Sequence, residues 1–259
     1  MKKHPIIAFY FLAFVISWLG WVPQALHARG WFPFYSPVFS FLGAGGPTLA
    51  AVIVIGALQG RDGPRGLFAP LLRWRAVAGW WSFVLLFWFA AAAAALGLGA
   101  LFGQPLPALD GIVWWQLLPV FVTMLLSNVW EEIGWRGFAL PRLQKEWPRW
   151  QVVLVMGLLW SLWHLPLMLN PSSPMSGLGW AGEVVFSLAL TMIYTWLYNG
   201  TEGSLWFVSI FHAMSNTVAY FLLEAGVFES SYGLVVVVTS AAALAIAVLS
   251  RKKSGIQGD

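Results

Sequence analysis

Apolar residues fill most of this chain in long stretches that are separated by short polar segments. The stretches are roughly 17 to 25 residues long, the length that an α-helix needs to cross a bilayer at about 1.5 Å per residue. No polar segment is long enough for a separate soluble domain. The pattern therefore predicts an all-α polytopic membrane helix bundle, with residues 1–259 as a single integral membrane domain. About eight transmembrane helices are expected, near residues 5–23, 37–58, 77–102, 112–140, 150–168, 181–199, 204–223 and 232–250.

The composition supports a membrane protein and excludes several kinds of site. Hydrophobic residues make up 59% of the chain and charged residues only 9%, whereas charged residues are about a quarter of ordinary soluble domains. The mean hydropathy is +0.75. Because the chain has no cysteine, structural disulfides, thiolate metal sites and a cysteine nucleophile are excluded.

The basic residues indicate topology rather than nucleic-acid binding. The sequence pI is about 9.6, but Lys and Arg fall in short clusters between apolar spans, so we expect no nucleic-acid partner. The positive-inside rule predicts that both termini lie in the cytoplasm. We interpret the membrane as the cytoplasmic membrane of a prokaryote, and we expect the first span to be retained as an anchor and not cleaved as a signal peptide. That orientation leaves Arg29 outside and Arg136 in a span. The cytoplasmic segments then hold Lys2, Lys3, Arg61, Arg65, Arg73, Arg75, Arg142, Lys145, Arg149, Arg251, Lys252 and Lys253.

Polar side chains interrupt three of the predicted spans, and they are the candidate site. An ionisable group at membrane depth costs several kcal/mol unless it is paired or wetted, so it usually marks function. Helical rise places these residues at one depth in the cytoplasmic half of the membrane, and we expect a substrate to enter from that side. Glu183 and Glu202, near predicted helix ends, are expected to mark interfaces. The candidates are Glu131, Glu132, His164, His212 and Asn216.

Spacing along the helices predicts which of these groups pair. Glu132 and Arg136 are four residues apart, the distance at which a carboxylate and a guanidinium can pair on one helical face. Such a pair could equally serve only to hold helices together. Glu131 points about 100° away and is left for chemistry. His212 and Asn216 are also four apart and would face one pocket.

Two kinds of chemistry fit this set of groups. A carboxylate and a histidine can deprotonate a water for attack on a peptide carbonyl, while a second histidine and an amide stabilise the developing oxyanion. Alternatively, Glu131, His164 and His212 could be the three protein ligands of a catalytic zinc. The His-Glu-x-x-His pattern of zinc proteases is absent, so the sequence leaves metal binding open.

Three motifs together resemble the CPBP family of intramembrane proteases, also called Abi. They are Glu131–Gly137 (EEIGWRG), Trp160–His164 (WSLWH) and Phe211–Asn216 (FHAMSN). The family groups the type II CAAX prenyl endopeptidases with bacteriocin-processing and self-immunity proteins. Its hallmarks are Glu-Glu-x-x-x-Arg, an aromatic residue followed by x-x-x-His, and His-x-x-x-Asn or Asp, in this order. The resemblance covers about residues 112–223, the protease core, whereas residues 1–111 are recognisable only as hydrophobic transmembrane helices.

The resemblance implies an intramembrane endopeptidase of glutamic or metalloprotease type. Glu131 would activate a water with His164 as its partner, and His212 with Asn216 would stabilise the oxyanion. Glu132 and Arg136 would orient the site. The family has been described both as metal-dependent and as metal-independent, so a zinc ion stays possible by resemblance. The substrate would be a membrane-associated, C-terminal or lipidated peptide within the bilayer.

Two other classes of protein also bury such groups. A proton-coupled transporter carries carboxylates and histidines in its spans, but no internal repeat is evident in this chain. A non-catalytic membrane scaffold or immunity protein could keep the fold without the chemistry. Substrate-driven ion flux is expected of the transporter, and an unchanged phenotype after loss of Glu131 is expected of the scaffold.

Overall fold

The computed structural model describes residues 3–108 and 110–255, and 83% of the chain is helical. Within these ranges no β-strand is present, which confirms the predicted all-α class. Of the basic residues used to orient the chain, Lys2 and the side chains of residues 251–253 lie outside what the structure describes. The helices are α1 (Pro5–Ala28), α2 (Pro37–Gln59), α3 (Gly63–Phe68), α4 (Ala78–Leu101), α5 (Leu117–Glu132), α6 (Leu140–Glu146), α7 (Arg149–Trp163), α8 (Leu165–Met168), α9 (Trp180–Gly200), α10 (Leu205–Glu224) and α11 (Phe228–Gly255).

Seven helical stretches among the described residues are long and apolar enough to cross a membrane. This finding confirms a polytopic bundle. The helix expected near 150–168 is present but does not run on: it ends at Trp163, and four residues of α8 follow. Pro166 accounts for the break, because it lacks the N–H that a continuous helix needs. The stretches are Pro5–Ala28, Pro37–Leu72, Ala78–Leu101, Trp114–Glu146, Trp180–Gly200, Leu205–Glu224 and Phe228–Ser250.

Helix α10 lies at the centre of the bundle and contacts α4, α5, α9 and α11. Its buried residues include Phe207, Phe211 and His212, so the first half of the helix presents an imidazole to the interior. The indole of Trp88 on α4 donates a hydrogen bond to the Phe211 carbonyl at 3.0 Å. This contact fixes α4 beside the turn of α10 that carries His212.

A π-helical segment, Ile133–Ala139, joins α5 to α6 and follows the two adjacent glutamates directly. Such segments are uncommon and are frequently found at functional sites. Helix α2 packs against this segment, and Thr48 on α2 donates a hydrogen bond to the Trp130 carbonyl. The packing of α2 therefore holds the backbone on both sides of the glutamates.

Gly134 permits the close approach of α2, and we predict that Gly134→Ala destabilises the protein. A Cβ at this position would overlap the backbone carbonyl of Pro47, and overpacking of this kind costs about 1–3 kcal/mol. Thermal unfolding in detergent measures the effect. Gly97→Ala in the interior of α4 is the matched control, because nothing lies within 4 Å of its added Cβ. Equal unfolding temperatures for the two variants would contradict the prediction.

Candidate active site

A cavity of about 240 Å³ lies inside the bundle, bounded by α4, α5, α7, α9, α10 and α11. Four of the six predicted site residues line it, which brings together side chains from α5, α10 and the end of α7. The other two, Glu132 and Arg136, are fully buried beside it. The polar lining residues are Glu131, His164, Glu183, Ser187, His212, Ser215, Asn216, Ser231 and Tyr232.

Glu132 holds both a guanidinium and an imidazole. Its Oε1 accepts a hydrogen bond from Arg136 Nη1 at 3.0 Å, the pair expected from their spacing, and lies 2.8 Å from His212 Nδ1. The Arg136 guanidinium lies between two aromatic rings, 4.4 Å from the Trp160 centroid and 4.1 Å from the Tyr194 centroid. A buried charge is tolerated only when it is paired in this way. Glu132 and Arg136 therefore fix the orientation of His212.

Glu131 differs from its neighbour because its carboxylate makes no ion pair among the described residues, whereas Glu132 pairs with both Arg136 and His212. The side chain lines the cavity and the residue is 8% exposed. Its Oε2 has no hydrogen-bond partner among the described residues. It interacts electrostatically with both His212 and His164. A carboxylate in this position can accept a proton from a molecule in the cavity.

His164 is the C-cap residue of α7, and its ring packs against three tryptophans. Its ring centroid lies 5.5 Å from Trp160, 4.9 Å from Trp163 and 6.3 Å from Trp21. His164 Nδ1 lies 3.5 Å from Glu183 Oε1. The break between α7 and α8 thus leaves the imidazole at the cavity wall in a fixed orientation.

Two residues that sequence reasoning did not assign to the site belong to it. Asn128, 2% exposed on α5, accepts a hydrogen bond through Oδ1 from Asn216 Nδ2 at 3.2 Å. Its spacing of four residues from Glu132 was an available signal. Glu183 was expected at an interface, but its buried carboxylate lines the cavity. No local pattern relates Glu183 to His164, because their contact depends on how α7 packs against α9.

The zinc hypothesis does not fit the arrangement of side chains well. Within residues 3–108 and 110–255, no group of three or more His, Asp or Glu side chains has the geometry to hold a metal ion. His212 Nδ1 is also engaged by Glu132. Zinc binding by Glu131, His164 and His212 therefore stays a prediction, and no chemical step below is routed through a metal.

The cavity extends toward one end of the bundle. Its lining includes Met175 and Leu178, from the segment between α8 and α9, and Phe228 at the start of α11. Arg29 Nη2 donates a hydrogen bond to the Leu169 carbonyl, which ties the end of α1 to the same face. The segments expected in the cytoplasm, 60–77 and 142–149, contribute no lining residue among those described. The lining of this cavity therefore favours access from the end of the bundle opposite those segments.

The same residues match a known protein family. Residues 113–218 match the family model described as Rce1-like, type II CAAX prenyl endopeptidase. This match confirms the family resemblance. All six predicted site residues lie within the Rce1-like segment, which overlaps the predicted core at 112–223.

A curated relative shows the same similarity. The CAAX prenyl protease 2 of Methanococcus maripaludis is 33% identical over 107 residues. The aligned region is 39% of this chain and 40% of the relative. The chain thus spans about two fifths of the length of the curated relative it matches.

Proposed function

We propose that the protein is an intramembrane endopeptidase that hydrolyses a peptide bond of a membrane-associated or C-terminal peptide. One observation carries the proposal. The Glu131 carboxylate, which makes no ion pair among the described residues, faces a cavity that is also lined by His164 and His212, within the Rce1-like segment. Each imidazole also has a carboxylate beside its Nδ1 atom. Glu183 lies 3.5 Å from His164 Nδ1, and Glu132 lies 2.8 Å from His212 Nδ1.

Water activation is the role proposed for Glu131 and His164. Glu131 takes one proton from a water held between it and His164, and the water oxygen forms a bond to the scissile carbonyl carbon. The carbon–nitrogen bond then breaks, and the proton on Glu131 passes to the leaving amine. One water is consumed, and the products are a new carboxyl end and a new amino end.

Oxyanion stabilisation is the role proposed for His212 and Asn216. With Nδ1 held by Glu132, the other ring nitrogen of His212 is the one available to the cavity. Both ring nitrogens donate in the imidazolium form. Asn216 has two amide hydrogens, and the bond to Asn128 uses one of them. Fixed donors of this kind stabilise the charge that develops on the carbonyl oxygen.

The apolar wall of the cavity supports a substrate with an apolar group beside the scissile bond. Trp88, Phe186, Leu190, Leu222 and Val235 all line it. The matched relative is named a CAAX prenyl protease, so a prenylated cysteine is a specific candidate for that group. Matched peptides with and without a farnesyl chain test it, and preferential cleavage of the farnesylated peptide is expected.

Cleavage of quenched peptides by the purified protein tests the proposed function. Mass spectrometry of the products identifies the bond that is cut, and a parallel reaction contains a chelator. We expect cleavage at one defined bond with or without chelator. Loss of cleavage in chelator and recovery with zinc would support the metal alternative, and no cleavage of any peptide would contradict the proposal.

We predict that the cavity faces the outside of the cell, because it extends away from the basic segments. The chain has no cysteine, so single-cysteine variants report accessibility directly. Ser176→Cys marks the cavity end and Asp62→Cys the opposite end, and both residues are exposed. With a membrane-impermeant maleimide on intact cells, we expect only Ser176→Cys to be labelled. Labelling of Asp62→Cys alone would reverse the orientation and restore cytoplasmic access.

We predict that Asn128→Leu slows cleavage by positioning Asn216 poorly. The substitution removes the acceptor of the Asn216 amide, and loss of such a supporting contact costs about 10-fold or more in activity. Thr123→Val is the matched control, because Thr123 is exposed on the same helix. Peptide cleavage rates of the two variants measure the effect. Equal rates would show that Asn216 needs no support from Asn128.

A further inference from the structure

We propose that Glu183 is a positioning residue for His164, acting on that imidazole as Glu132 acts on His212. The inference deepens the proposed function and rests on it. Glu183 lies outside the three family motifs and inside the cavity that they form. It lies on α9, whereas the motif residues belong to α5, the π-helical segment, α10 and the end of α7.

The surroundings of Glu183 stabilise it as a buried anion. Ser187 Oγ donates a hydrogen bond to Oε1 at 2.8 Å, and the Tyr232 hydroxyl donates one to Oε2 at 3.1 Å. The residue is 4% exposed and lies in the first turn of α9. A helix N-terminus favours negative charge. Two hydroxyl donors and the helix terminus together offset part of the cost of burying the carboxylate.

The carboxylate faces the buried ring nitrogen of His164. The distance from Glu183 Oε1 to His164 Nδ1 is 3.5 Å. This nitrogen is shielded from solvent and makes no hydrogen bond among the described residues. The Trp21, Trp160 and Trp163 rings restrict the imidazole on its other sides. A small closing movement would make Nδ1 a donor to Glu183 and leave the other nitrogen toward Glu131.

The arrangement repeats the contact on the other side of the cavity. Glu132 lies 2.8 Å from His212 Nδ1, and both imidazoles act electrostatically on Glu131. The second nitrogen of a histidine is set by the bond that the first one makes. Glu183 therefore determines which nitrogen of His164 carries the proton. The position of that proton determines whether His164 donates a hydrogen bond to the attacking water or accepts one from it. The titratable groups that line the cavity together with His164 are Glu131, Glu183, His212 and Tyr232.

Substitutions that separate the charge of Glu183 from its packing test the proposal. Glu183→Gln removes the charge at constant shape, and Glu183→Asp keeps the charge. Glu224→Gln is the control, because it makes the same substitution at the exposed end of α10, away from the cavity. For Glu183→Gln we expect kcat to fall about 10- to 100-fold and KM to stay nearly unchanged. This loss is smaller than the roughly 10²- to 10⁴-fold contribution of an acid–base group itself, because Glu183 acts only through His164. We also expect the pH–rate profile to move by about one unit.

Nitrogen-15 NMR of the imidazoles gives a readout that does not require activity. The chain has four histidines, so selective labelling gives few signals, and His164→Gln assigns the one of interest. We expect His164 to carry its proton on Nδ1 in the wild type, and its signals to shift in Glu183→Gln while those of His212 do not. If the wild type cleaves no peptide, the proposed function fails but this measurement still decides the Glu183 contact.

Three results would overturn the proposal. One is a Glu183→Gln protein with wild-type kcat, pH profile and His164 signals. Another is equal loss of activity and of thermal stability in Glu183→Gln and Glu183→Asp, which would make the role purely structural. The third is His164 protonated on its other nitrogen in the wild type. Partial recovery of kcat in Glu183→Asp, with Glu224→Gln at the wild-type rate, would support it.

Discussion

Glu131→Gln is expected to reduce peptide cleavage by about 10³-fold or more, because an amide cannot take the proton of the attacking water. The shape of the side chain is kept, and the Glu132–Arg136 pair is not touched. Glu131 Oε2 makes no hydrogen bond among the described residues, so folding is expected to be intact. Cleavage rates and thermal unfolding of the purified variant measure both effects.

Glu224→Gln is the matched control for that experiment, because it is the same substitution at the exposed end of α10. It is expected to cleave at the wild-type rate. Cleavage by Glu131→Gln at the rate of this control would contradict the role of Glu131. A preserved cellular phenotype in Glu131→Gln would favour the scaffold alternative, and substrate-driven ion flux through the wild type would favour the transporter.

Arg136→Gln is expected to lower the free energy of unfolding by about 3–5 kcal/mol, the usual cost of removing one partner of a buried ion pair. The substitution leaves the Glu132 carboxylate buried with His212 as its one remaining ion-pair partner among the described residues. It also removes the guanidinium that packs between Trp160 and Tyr194. Thermal or chemical unfolding in detergent measures the loss, and cleavage is expected to fall with it.

Arg65→Gln is the control for Arg136→Gln. Its ion pair with Asp62 is almost fully exposed at 3.6 Å, and exposed pairs contribute about 1 kcal/mol or less. A similar loss of stability in the two variants would show that the buried pair does not support the site in the way described. A fully stable Arg136→Gln protein would contradict the account of Glu132 as a held carboxylate.

The sequence predicts the helices and the pairing of neighbours on one helix well. Apolar runs found the spans because the bilayer imposes a minimum length on a helix. The Glu132–Arg136 pair followed from i,i+4 spacing alone and is present in the structure. Pro166 could have indicated the helix break at His164. The prediction of one helix over residues 150–168 relied instead on the unbroken apolar run.

Contacts between distant helices could not be predicted in the same way. Asn128 meets Asn216 across 88 positions of sequence, and Glu183 meets His164 because α7 packs against α9. Helical rise estimates placed the polar groups in the half of the bundle near the basic segments. The cavity instead extends away from them, because the end of α7 and the starts of α9 and α11 form its walls.

Cleavage in water enriched with oxygen-18 tests most directly whether Glu131 activates a water against a peptide bond. Wild-type protein and Glu131→Gln are incubated with one cleaved peptide, and mass spectrometry follows the new ends. The account predicts one oxygen-18 atom in the new carboxyl end from the wild type, and no product above background from Glu131→Gln. Product without oxygen-18, or labelled product formed equally fast by Glu131→Gln, would contradict it.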